Sequence, residues 1–133
     1  MQMKTKKLIS IGKTLAIAII ILGVIHDAAT YSPLIKGGLS CLDPGNLKAM
    51  IYMSLMCGTS LILSGIILFL LINKVELYPF LSLPLLVTGI FLVINGILSV
   101  IYMSDNPFAW IALVLNLSMF VIIVVLKMKT KSQ

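Results

Sequence analysis

Charge is what this chain has least of. Only 11% of its 133 residues are charged, against about 25% in soluble domains. All 10 basic residues are lysine, and the only acids are Asp27, Asp43, Glu76 and Asp105. With no arginine, and with lysines that flank apolar runs, the net charge of +6 does not read as nucleic-acid binding. One histidine, His26, and two cysteines, Cys41 and Cys57, are too scattered for a zinc set. No C-x-x-C occurs, so a thiol oxidoreductase lacks its motif, and "KGGLS" before Cys41 is no lipobox. There is no nucleophile with a nearby base, no pair of carboxylates within an apolar run and no phosphate-cradling glycine loop. The residues point to no enzyme, no metal and no resident cofactor.

Apolar side chain is what the chain has instead. Hydrophobic residues make up 60%, and mean hydropathy is +1.16. A water-soluble fold of this length cannot hide that much, so the solvent is lipid. A bilayer needs about 20 apolar residues per helix. Four such runs are present, over roughly 8–26, 48–72, 78–103 and 108–126, and they use nearly the whole of 1–133. Because the runs are continuous rather than alternating, they predict helices and not a β-barrel. The expected fold is therefore all-α, a single bundle of four membrane helices. Pro33, Pro44, Pro79 and Pro107 fall at or between helix ends, while Pro84 lies inside the third run and kinks that helix or marks its true start.

The first run, behind "MKTKK" and before "HDAA", also resembles a secretory signal. Its cleavage pattern is poor, since Asp27 would stand three positions before a cut after Ala29, and a retained helix is expected. Lys4, Lys6, Lys7 and Lys13 precede or open the first run, Lys74 lies between the second and third, and Lys127, Lys129 and Lys131 follow the fourth. Lys36 and Lys48 share the other side with Asp27, Asp43 and Asp105. The positive-inside rule then puts both termini in the cytoplasm of a multi-pass cell-membrane protein. The cytoplasmic lysines would lie against anionic lipid head groups, each contributing about 1 kcal/mol near the surface.

Small and polar residues recur at helical spacing within the runs. Gly12, Ala16 and Gly23 mark the first; Ser54, Gly58 and Gly65, beside Cys57, Ser60 and Ser64, mark the second. Thr88, Asn95 and Ser99, beside Gly89 and Gly96, mark the third, and Ala112 and Asn116 the fourth. Such residues share a helix face, let helices approach closely and bond across the contact. Gly23, Gly58, Gly65, Gly89 and Gly96 are therefore expected at helix–helix contacts. The polar members read either as packing glue or as the lining of a cavity. "ILGVIHDAATYSP" also aligns with "INGILSVIYMSDNP", pairing Gly23 with Gly96 and His26 with Ser99, which would make two parallel hairpin repeats.

His26 stands where the first run ends, beside Asp27. It reads as the polar end of a helix or, with a carboxylate such as Asp27 or Asp105, as part of an outer-facing site sensitive to pH. As a haem ligand it would need a methionine or another protomer's histidine opposite. "ILGVIH", with Gly23 and His26 three apart, and the later "GTSLILSGIILFLL" resemble small uncharacterised bacterial four-helix integral membrane proteins. That resemblance implies four helices and no known reaction. The chain lacks the buried glutamate in the first helix of small multidrug exporters and the arginine-containing first segment of fluoride channels.

Two functions remain. One is binding or transport of a small apolar or weakly polar molecule through the outer half of the bundle, with His26, Asp27, Asn95, Ser99, Asp105 and Asn116 as candidate lining residues. The other is a non-catalytic accessory or structural subunit that packs against a second copy or a larger membrane partner. A haem-binding four-helix protein stands behind both. In every case the bilayer is a partner.

Overall fold

The computed structural model describes residues 2–131, with side chains over 5–33 and 37–129; Lys4, Lys36 and Lys131 of the lysine pattern lie outside those side chains. The order is α1 (Gln2–Thr30), α2 (Pro33–Gly38), α3 (Pro44–Leu71), a 3-10 turn (Pro79–Leu81), α4 (Ser82–Tyr102) and α5 (Pro107–Lys131). Among the described residues there is no strand. Four segments are long and apolar enough to cross a membrane: Thr5–Thr30, Pro44–Leu71, Pro79–Tyr102 and Pro107–Lys129. α4 is 21 residues long. That length is about 31 Å at the helical rise, close to the thickness of a hydrocarbon core.

The helices outrun the apolar segments that predict them. α1 runs from Gln2 to Thr30 rather than over 8–26, and α5 runs on to Lys131 rather than stopping at 126. Hydropathy marks where lipid ends, whereas the backbone ladder continues wherever nothing breaks it. His26 is therefore one turn inside its helix, and the Thr30 hydroxyl donates back to the His26 carbonyl at 3.0 Å. α3 starts at Pro44, earlier than 48, because Asp43 caps it: its carboxylate accepts from the amides of Gly45 and Asn46 at 2.9 and 3.1 Å. Proline sets the other starts. Pro33, Pro44 and Pro107 are first residues of helices, Pro79 opens the 3-10 turn, and Pro84 is the third residue of α4. In a first turn the missing N–H costs nothing, so Pro84 stands at a helix start rather than inside a helix.

α1 packs chiefly on α3 and α4 chiefly on α5, giving two antiparallel hairpins; α1 and α5 join them, and the α3–α4 seam is the loosest of the four. Glycine sets the tight contacts. A Cβ at Gly23 would lie 2.7 Å from the Gly58 carbonyl oxygen, and one at Gly65 would lie 2.9 Å from that of Ala16. In the second hairpin a Cβ at Gly96 would meet the Leu113 Cα at 2.9 Å, and one at Gly89 the Ile123 Cδ1 at 3.0 Å. Ile19, Leu68, Ile72, Leu85, Leu92, Met119 and Leu126 fill the centre. Only 22% to 33% of each span is buried within the chain, so most of its apolar surface faces outward, to lipid. Exposed Tyr31, Tyr52, Tyr102 and Trp110 lie toward one end and Tyr78 at the other, as amphipathic rings do at the two interfaces.

Candidate functional site

In the half of the bundle away from the chain termini, the four long helices part around a cavity of about 350 Å³. Its wall is mainly apolar, and its polar side chains are Thr30, His26, Ser54, Cys57, Asn95, Ser99 and Asn106. Along α3 the lining runs from Met50 to Leu61, about 16 Å at the helical rise. Leu22, Leu61 and Ala112 close its inner end.

Helix spacing puts the polar groups on this wall. Ser54, Cys57 and Leu61 follow at three and four along α3, as Asn95 and Ser99 on α4 and Met103 just past its end follow at four. His26 Nε2 lies 3.2 Å from Ser54 Oγ, and Ser54 Oγ lies 2.6 Å from Thr30 Oγ1. In both Ser54 contacts either partner can be the donor. The ring is thereby held to α3 through Ser54. Across the loose seam, Asn95 Nδ2 donates to Cys57 Sγ at 3.6 Å. Ser99 donates back to the Asn95 carbonyl at 2.9 Å.

Three of the six residues proposed from sequence, His26, Asn95 and Ser99, come together here. The other three are not among the lining residues. Asp27 turns toward α3, where Oδ2 accepts from the Thr59 hydroxyl at 3.3 Å and Oδ1 is buried against Gly58 without a hydrogen-bond partner. The two neighbours diverge because adjacent helical positions point about 100° apart. Asp105 is exposed in the turn between α4 and α5. Asn116 is fully buried on α5, its Nδ2 donating to the Leu92 carbonyl on α4 at 2.9 Å. It locks a helix pair.

Thr30, Ser54, Cys57 and Asn106 are lining residues that the sequence reading did not assign to a site. Ser54 and Cys57 carried a signal, small and polar residues at helical spacing on adjoining sides of the second run; Thr30 and Asn106 carried none. Both cysteines are free thiols, Cys41 exposed and Cys57 half-buried. Among the described residues, no three of His, Cys, Asp and Glu converge as a metal set.

Fold and cavity together define a multi-pass helical membrane protein of four spans with an internal, mainly apolar cavity. The chain matches no protein-family model, no curated protein and no solved structure.

Proposed function

We propose that the chain is a non-catalytic protein of a bacterial cell membrane that binds or transports a small apolar or weakly polar molecule in the outer half of its bundle. The cavity carries this reading: about 350 Å³ lies within the roughly 300–1,000 Å³ typical of ligand pockets, and an apolar wall with a few convergent polar groups is their usual composition. The lysines support an orientation with both termini cytoplasmic. Lys6, Lys7, Lys13, Lys74, Lys127 and Lys129 share one end with a single acid, Glu76, whereas Lys48 shares the other with Asp27, Asp43 and Asp105. On this orientation the cavity faces the outer leaflet. An accessory role would draw on the glycine faces, and these are spent on contacts inside the chain.

Native mass spectrometry of the protein released from mild detergent tests the binding reading. The expected result is a retained small-molecule adduct in the parent that is lost when Ser99→Trp fills the cavity. A bare chain in the parent, or the same adduct in both, overturns it.

A further inference from the structure

We infer that the ligand is an uncharged amphiphile from the bilayer whose head group donates a hydrogen bond, as an alcohol does and an ether, a carboxylate or a quaternary ammonium does not. The inference rests on the cavity being the binding site proposed above.

Charge is excluded by the lining. Among the described residues, no lysine, aspartate or glutamate borders the cavity. The nearest acid in sequence to His26, Asp27, is turned to Thr59. A quaternary ammonium would be left without a counter-charge among apolar walls, where an unpaired ion is most costly, and a carboxylate would set its own lone pairs against the unpartnered Asn95 Oδ1.

The need for a donor follows from Asn95. Its Nδ2 is held by Cys57 Sγ, while its Oδ1 is buried and carries no hydrogen-bond partner. Ser99 Oγ, one turn on, gives its proton to the Asn95 carbonyl and keeps a lone pair. A head group that donates would complete Asn95 Oδ1, whereas one that only accepts would leave that oxygen unmet.

A source in the membrane follows from the shape. The cavity lies where α3 and α4 make least contact, and the Asn95–Cys57 bond ties that seam only at its inner end. From there to the mouth the seam is edged by apolar Met50 and Ile51 on α3 and by Met103 just past the end of α4. An alkyl chain can lie along that edge with its head at Asn95 and Ser99.

The test uses photoreactive amphiphiles that share one diazirine-bearing dodecyl chain and differ in the head: alcohol, methyl ether, carboxylate and trimethylammonium. Each is added to the full chain in phosphatidylcholine nanodiscs, and crosslinks are mapped by peptide mass spectrometry. The alcohol is expected to label segments 22–30 and 95–103 at least about fivefold more than each of the others, the ratio one hydrogen bond confers. Its excess over the ether should vanish in Asn95→Leu and shrink in Ser99→Ala, with ether labelling unchanged. Equal labelling by alcohol and ether, or an excess that persists in both variants, overturns the donor requirement but leaves the site standing. Stronger labelling by either ion overturns neutrality. A water-soluble diazirine butanol that labels as well as the dodecyl alcohol overturns the membrane source. If no probe labels the cavity, the inference and the binding reading fall together.

Discussion

Asn95 Nδ2 on α4 lies 3.6 Å from Cys57 Sγ on α3, a bond that spans the seam between the two hairpins. Sulfur is a weak acceptor, and side-chain bonds between membrane helices average about 0.6 kcal/mol. A double-mutant cycle of Asn95→Ala and Cys57→Ala, read by unfolding in mixed micelles, should give a coupling of about that size. Asn95→Ala should also speed maleimide modification of Cys57. Unchanged thiol reactivity would mean that the seam is not held at this point.

The glycines should differ in their tolerance of a side chain. At Gly23, Gly65 and Gly96 an added Cβ meets opposing backbone, which cannot turn away. At Gly89 it meets the ends of Ile123 and Phe120 side chains, which can. Alanine at the first three is expected to cost about 1–3 kcal/mol, the usual range for overpacking, and alanine at Gly89 distinctly less. Thermal unfolding in detergent gives the order, and a Gly89→Ala variant as unstable as Gly65→Ala would contradict it.

Asn116 should be replaceable without touching the cavity. Its Oδ1 is buried and unpartnered, and the Leu92 carbonyl it bonds lies inside α4. Leucine of similar volume removes the orphan oxygen together with the bond, so Asn116→Leu should stay within about 1 kcal/mol of the parent. It should also retain whatever adduct the parent retains. Loss of the adduct in Asn116→Leu, with stability intact, would return Asn116 to the site.

Asp43 gives the loop end an acid dependence. Hydrogen bonds from the Asn46 backbone, the largest cause, and from the Gly45 backbone and the Asn46 side chain hold its carboxyl below the ordinary aspartate value. The folded chain therefore favours the ionised form. The cap's contribution is complete above the ordinary value of about 3.9 and is lost as pH falls through the lowered one. Asp43→Asn keeps an acceptor but not the charge, and should flatten stability against pH in that acid range while retaining most of the cap. An equally steep acid loss in Asp43→Asn would assign it to another group.

Orientation has a direct check. Lys74 is exposed between α3 and the 3-10 turn, at the end that carries the chain termini. In a background with Cys41 and Cys57 replaced by serine, Lys74→Cys should resist an impermeant maleimide added to intact cells and react once the membrane is opened. Labelling of intact cells would invert the topology.

The aligned segments in the two halves take corresponding places. Gly23 packs on the second helix of its hairpin and Gly96 on the second helix of the other, and His26 and Ser99, three residues later, both line the cavity. The spacing of the small residues already carried this much. A glycine and the polar residue three positions on lie on adjoining parts of one face, so where the first meets a partner helix the second sits near the same groove.

Composition pointed to lipid as the solvent, and the four continuous apolar runs determined the number of spans and the helical class, because a bilayer admits few ways to pair a backbone in runs of that length. Proline and glycine positions marked where helices begin and where they touch, both being local steric facts. What sequence left undecided was which polar residues meet. Asn95 and Asn116 carry the same side chain on neighbouring helices, yet one lines the cavity and the other is sealed in the α4–α5 contact. His26 and Asp27 are adjacent, yet one faces the cavity and the other Thr59 on α3. Those outcomes depend on the rotation of each helix about its axis and on the looseness of the α3–α4 seam. Both are set by packing between segments distant in sequence, and only the tertiary structure decides them.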